Sequence, residues 1–186
     1  HGTYVMNSKD LCAIELLGKL KDAGIDSFKI EGRTKSIYYL SIITRAYRKA
    51  IDDLYTKRIF DSKLTREINA VSNRGYITGF LGRKSNKNII NYKESKENNQ
   101  LYQFCGLVKS VNMKSKIARL SVKNRFEKND YMEVVNPNGI YPFIVKEILS
   151  KEGKSINVAH GGGEDVYIQI PDTTNEFSIV RKVIKK

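Results

Sequence analysis

The 186-residue chain has only two cysteines, Cys12 and Cys105, and only two histidines, His1 and His160. A disulfide framework needs more thiols than that, so nothing points to an oxidising compartment and the cytoplasm is the default location. Two Cys and two His also fall short of a convincing closed four-ligand zinc site. No run approaches the ~18 apolar residues a membrane span needs. The start, HGTYVMNSKD, lacks the basic opening and apolar stretch of a secretory signal, and it lacks an initiating Met. A start inside a longer protein is the expectation from the missing Met. Neither G-x-S-x-G nor H-E-x-x-H occurs, so His160-Gly161-Gly162-Gly163 is read as a turn rather than as an esterase-type oxyanion loop.

What is abundant is positive charge. Lys and Arg total 33 against 20 Asp and Glu, a net charge of +13, while 40% of residues are hydrophobic and 28% charged. A packed core is affordable on that composition. Up to Asn99 there are 19 basic and 11 acidic residues, and from Gln100 onward 14 and 9. Both halves are basic, and a field of that sign draws in phosphate-rich partners. The alternative is a lysine-rich composition that serves solubility alone.

Periodicity divides the chain. A short apolar piece at Tyr4–Asn7 leads into Ser8 and Asp10, both N-cap candidates. Behind them Leu11, Ile14, Leu17 and Leu20 recur at helical spacing, with Gly24 placed as a left-handed C-cap, which predicts a helix over 10–23. Ser27–Ile30 reads as a short buried strand. From Ser36 to Tyr55 the positions Tyr39, Ile43, Tyr47, Ala50 and Leu54 follow a 3.6-residue period. Ser62 then caps a shorter helix carrying Leu64, Ile68 and Val71. Strand, helix, strand, helix is the grammar of parallel α/β units. Residues 83–100, rich in Asn, Lys and Ser, read as a linker. Beyond them Phe104–Val111, Ile117–Val122, Tyr131–Val135, Phe143–Ile148, Val166–Ile170 and Phe177–Val183 are β-rich runs between turns, which predicts a small all-β barrel-like domain over 101–186.

Three places could carry chemistry. In Lys29-Ile30-Glu31-Gly32-Arg33-Thr34-Lys35, four ionisable groups gather where a strand passes into a helix. The carboxyl end of a parallel strand opens onto the ligand face, and the following helix turns its N–H groups to the same place. The alternative is an ion pair, Lys29–Glu31 or Glu31–Arg33, on a rim. In Asn73–Phe80, Arg74, Gly75 and Tyr76 interleave as a base-stacking and phosphate-binding loop would, or as a loop packs. Cys12 falls in the first turn of the expected helix, where the dipole activates a thiol; a lone Cys also serves as a small buried hydrophobe. Cys105, in YQFCGLV, reads as an inward strand residue.

YVMNSKDLCAIELL, DSFKIEGRTKS followed by a Tyr pair, RAYRKAIDD and NRGYITGF stand in this order from Tyr4 to Phe80. In that order and spacing the chain resembles the collagenase-like peptidase family of bacteria, and within it the branch of tRNA 5-hydroxyuridine modification proteins. The resemblance is dense to Phe80 and weaker through the β-rich part. It implies the last βα units of a TIM-like barrel over 1–82, then the linker and a β-domain, so that the chain is a C-terminal portion. It implies hydroxylation of wobble uridine in tRNA, with a prephenate-derived co-substrate, Lys29, Glu31 and Arg33 at the catalytic mouth, and Lys35, Arg45, Arg48, Arg74 and Tyr76 contacting tRNA or another anion. It further implies a 4Fe-4S cluster on four cysteines, the last of which matches Cys12. Peptidase activity and a non-catalytic RNA-binding module are the rival readings, and no nucleophile–base pair is visible for the former. Unpartnered apolar faces on Leu11–Leu20 and Tyr39–Leu54 would favour self-association.

Overall fold

Residues 8–81 and 101–184 are described by the computed structural model, and the chain divides into two units, His1–Gln100 and Leu101–Lys186. The expected strand at Tyr4–Asn7 and the linker over 83–100 lie outside the described residues.

The first unit departs from its local pattern at once. Asp10–Leu11 is not the start of a helix but a short strand, β1, parallel to β2, Tyr76–Ile77. The amides of Asp10 and Cys12 donate to the carbonyls of Gly75 and Ile77, at 2.9 and 2.8 Å. A ladder from a distant segment thus overrides the helical spacing, and neither Ser8 nor Asp10 is an N-cap. Ile14–Leu16 forms a 3-10 turn that runs into α1, Leu17–Asp22. The amides of Gly24 and Ile25 return to the carbonyls of Lys21 and Leu20. Those two bonds close a Schellman motif, and Gly24 supplies its left-handed residue at φ 85°.

Ser27–Ile30 forms no strand. Ser27, Lys29 and Ile30 are exposed and Phe28 is half-buried, because no neighbouring strand among the described residues supplies a ladder for this stretch. The expected buried strand is corrected to a largely exposed segment without a ladder. α2, Ile37–Tyr55, begins where Ser36 Oγ accepts the Tyr39 amide at 3.2 Å. Its buried seam is Tyr39, Ile42, Ile43, Ala46, Ala50 and Asp53, a turn-by-turn i+3/i+4 progression. Sinking Ile42 completely contributes about 1.5–3 kcal/mol. Asp53 is tolerated in that seam because Lys49 and Arg58 pair with it. α3, Lys63–Asn69, buries Leu64 and Ile68. Ser62 stands at its N-cap position but makes no capping bond; Asp61 Oδ1 takes the Lys63 amide instead, at 2.9 Å. Ile14, Leu17, Tyr39 and Ala50 are buried, Leu20, Tyr47 and Leu54 are half-buried and Leu11 is exposed.

The second unit is built on alternation. β3, Tyr102–Asn112, and β4, Ile117–Val122, pair antiparallel; Ala118, Leu120 and Val122 face the core while Arg119 faces out. β5, Phe126–Glu127, precedes β6, Tyr131–Asn136, and β7, Gly139–Ile144. Asn136 Oδ1 accepts the amides of Asn138 and Gly139 at 2.9 and 3.1 Å, shaping the hairpin turn between β6 and β7. Four short or medium strands follow: β8, Ile148–Leu149; β9, Ser155–Ile156; β10, Val158–Ala159; and β11, Val166–Gln169. β12, Ile179–Val183, ends the series.

The large sheet has the order β7-β6-β12-β3-β4-β11-β8-β9, antiparallel throughout, and β10 pairs with β5 as a separate patch. β10 continues from one end of the sheet and β5 leads into the other, so this patch bridges the two ends. Phe126, Met132, Val134, Ile148, Ile168 and Val180 therefore share one core. Within the buried wall, Arg181 is 1% exposed, bonded to Glu133 through Nε at 2.8 Å and stacked 3.5 Å from the centre of the Tyr102 ring. The HGGG stretch is a turn; a Cβ on Gly161 would sit 2.3 Å from the Lys123 carbonyl oxygen.

Candidate functional site

Two loops of the first unit come together around a cavity of about 630 Å³. One is Glu31–Ser36, which delivers the chain into α2; the other is Ser72–Arg74, just ahead of β2. The first is a turn closed by the Lys35 amide on the Gly32 carbonyl at 2.9 Å. The second is held by the Asn73 side chain, whose Oδ1 accepts the Gly75 amide at 2.7 Å while Nδ2 donates to the Val71 carbonyl at 2.8 Å. Gly75, at φ 83°, makes that turn feasible. Arg33, Lys35 and Arg74 thus line one cavity with Glu31, Asp10 and the N-cap residue of α2, Ser36.

The carboxylates temper that charge unequally. Lys29 Nζ lies 3.7 Å from Glu31 Oε2, both side chains largely exposed at 86% and 71%, so the pair contributes little. Glu31 Oε1 also accepts the Arg33 amide at 3.3 Å. Lys35 is held more firmly: its ammonium is 2.7 Å from Asp10 Oδ2, the side chains 23% and 19% exposed, and 4.7 Å from the centre of the Tyr39 ring.

A second cavity of about 370 Å³ shares the wall of Asp10, Glu31, Lys35 and Tyr39 and is more aromatic, with Phe28, Tyr47 and Tyr76. Cys12 lines it. Being the residue after β1, ahead of the 3-10 turn, Cys12 has no helix N-terminus to activate it, which corrects the expectation from spacing. Its Sγ lies 3.7 Å from the Tyr47 hydroxyl, which also accepts the Ala13 amide at 2.9 Å. Burial first, then the adjacent Cys12, pushes the Tyr47 phenol up, and burial followed by the Tyr39 hydrogen bond does the same to Tyr76. Both phenols remain protonated at neutral pH and offer hydrogen bonds rather than bases.

The remaining cations go elsewhere. Arg45 Nη1 is 2.5 Å from Glu67 Oε2, at 14% and 18% exposure; this pair stitches α2 to α3. Arg48 pairs with Asp52 on the exposed side of α2 and lines a separate cavity with Lys21 and Tyr55. The Tyr76 hydroxyl is 3.4 Å from both the Tyr39 hydroxyl and the Ile68 carbonyl, and the residue is half-buried. Asp10, Tyr39 and Asn73 belong to the site and were not singled out from sequence. Asp10 meets Lys35 only through the β1–β2 pairing, which no local spacing announces.

The expected 4Fe-4S cluster takes Cys12 alone from this chain, its other ligands lying outside the sequence. The second cysteine, Cys105, belongs to the other unit, is wholly buried, and burial pushes its thiol up to about 12. Among the described residues no three His, Cys, Asp or Glu side chains gather as metal ligands, and no helix is long and apolar enough to cross a membrane.

The family model for peptidase family U32 matches residues 1–91, and that for the U32 C-terminal domain matches residues 100–181. The chain belongs to peptidase family U32. Among U32-related proteins it is similar to "tRNA hydroxylation protein P" of Haemophilus influenzae, 37% identical over 175 residues, covering 94% of this chain and 38% of that one. It is also similar to "Collagenase" of Porphyromonas gingivalis, 35% identical over 86 residues, covering 44% of this chain and 24% of the relative. Among solved structures, the C-terminal domain of a Geobacillus thermoleovorans U32 protein aligns with a TM-score of 0.42 at 20% identity, over 44% of this chain and 93% of that one. The chain spans about 38% of the length of the tRNA hydroxylation relatives it matches over most of its own.

Proposed function

We propose that this U32 chain forms the phosphate-binding part of a cytoplasmic tRNA-modifying enzyme that hydroxylates wobble uridine, with its second unit as an RNA-positioning, barrel-like domain. The observation that carries the proposal is the convergence of Arg33, Lys35 and Arg74 on one polar cavity from two separate loops. Cations brought together by the fold, at the start of a 19-residue helix, suit a phosphate or a carboxylate. The carboxylates of a prephenate-derived co-substrate would suit the same cations. In this reading Lys29, Glu31 and Arg33 would stand at the mouth, with Arg33 on the anion and Glu31, whose Oε1 accepts the Arg33 amide, shaping the turn that presents it. The parallel β1–β2 pair is consistent with a unit that completes a TIM-like barrel.

The family name supports a peptidase as second reading. Its chemistry needs a nucleophile beside a base, whereas Cys12 faces a phenol that burial keeps protonated. The deciding experiment measures tRNA binding by the 186-residue chain across a salt series, beside gelatin cleavage. Affinity should fall steeply with salt, and Arg33→Ala and Arg74→Ala should each flatten the dependence by roughly one phosphate contact, a slope change of about 0.7–0.9. A salt-independent affinity, or gelatin cleavage abolished by Cys12→Ser, would overturn the reading.

A further inference from the structure

We propose that Asp10 is the positioning residue of the anion site and acts through Lys35, an inference that rests on the reading of the polar cavity above. Asp10 ties the two cavity loops together. Its backbone amide donates to the Gly75 carbonyl at 2.9 Å, anchoring the end of the Arg74 loop. Its carboxylate accepts from Lys35 Nζ at 2.7 Å, anchoring the Glu31–Ser36 loop. One residue on a two-residue strand thus fixes the separation of cations that come from opposite walls.

Lys35 needs such a partner. A lysine ammonium rides on a flexible four-carbon stem, and holding it in one place costs rotamer entropy. Here Asp10 on one side and the Tyr39 ring on the other confine it, and the Tyr39 hydroxyl is itself 3.4 Å from that of Tyr76. Both members of the ion pair are about four-fifths buried, which removes much of the screening that weakens surface pairs. An ammonium carries three N–H donors; with one on Asp10, others remain for an anion. The pair and Tyr39 also form the wall common to the two cavities.

Asp10 has two effects on an anion, and they oppose each other. Its negative charge repels, so by Coulomb's law alone Asp10→Asn should tighten binding. Its grip on Lys35 preorganises a donor, so loss of the carboxylate should weaken binding. The preorganisation effect wins if Asp10 is a positioning residue.

The test is a titration of the 186-residue chain with inorganic phosphate at low salt, followed by the amide resonances of Gly32, Arg33 and Gly75. Asp10→Asn should weaken binding about three- to tenfold, the effect of freeing one rotamer-rich side chain. Asp10→Glu should restore most of it. In a Lys35→Met background the weakening should disappear, with Asp10→Asn leaving affinity unchanged or higher, since only repulsion is then removed. Weakening by the same factor with and without Lys35 would make Asp10 merely structural and overturn the proposal, as would tighter binding by the single variant. If phosphate binds and Asp10→Asn weakens it while Arg33→Ala does nothing, the positioning role stands and the wider cavity assignment fails. If phosphate moves none of these amides, both fall.

Discussion

Replacing Arg45 with alanine separates an RNA-contacting arginine from a structural one. Its guanidinium is 2.5 Å from Glu67 Oε2, with side-chain exposures of 14% and 18%. Exposed ion pairs contribute ~0–1 kcal/mol, whereas removing one partner of a buried pair costs ~3–5 kcal/mol. At this burial the loss should be about 2 kcal/mol, since the Glu67 carboxylate stays behind against α2 with its main cation gone. With an unfolding slope of about 1 kcal/mol per molar urea, the transition of the first unit should move down by ~2 M. Circular dichroism in urea measures that shift, and Glu67→Gln should lower the midpoint in the same direction. tRNA affinity, measured well below the transition, should be unchanged. An unaltered midpoint with weakened tRNA binding would show that the guanidinium serves the RNA and that the reasoning from the ion pair is wrong.

Gly161→Ala should destabilise the second unit by about 1–3 kcal/mol, the usual effect of forcing an atom into filled space, because the new Cβ would stand 2.3 Å from the Lys123 carbonyl oxygen; thermal unfolding reads the loss, and an unchanged midpoint would mean the turn relaxes at no cost. Cys105 gives a pH prediction. Burial raises its thiol from the ordinary 9.0 to about 12, so the folded state holds its proton where the unfolded chain releases it. Stability from this source is complete below about pH 9 and is lost as pH rises toward 12, and urea midpoints across that range should decline. Alkylation at pH 8.5 should spare Cys105 in the folded chain and reach it in urea; labelling under native conditions would contradict the burial.

The fold was legible where the information is local. Ile117–Val122 alternates Ala118, Leu120 and Val122 inward along one ladder, and the strand was bounded correctly from sequence. α2 showed its period and its Ser36 cap. The run Phe143–Ile148 was read as one strand, but β7 ends at Ile144 and β8 begins at Ile148, because Val145 between them donates its amide to the Asp130 carbonyl. β5, β9 and β10 are two-residue strands, too short to show any period. β1 was misread for a deeper reason: Leu11, Ile14, Leu17 and Leu20 do lie at helical spacing, and only the ladder from Tyr76–Ile77 decides that the helix starts after Leu11.

The site was legible as composition and illegible as pairing. Seven basic or aromatic residues were eligible to meet a polyanion, and sequence could not rank them, because a cation's availability depends on which carboxylate the fold places beside it. Glu67 takes Arg45, Asp52 takes Arg48, and Glu133 takes the buried Arg181. Asp10 takes Lys35 too, yet it does so inside the wall of a cavity, beside a loop carrying Arg74. The first three pairs consume charge for packing or lie away from that cavity, whereas the fourth fixes a charge at its wall. A net charge of +13 would draw a polyanion toward this chain. Where it would settle is decided by the few cations whose partners leave them facing a cavity, and of those Lys35 is the one whose direction a single carboxylate controls.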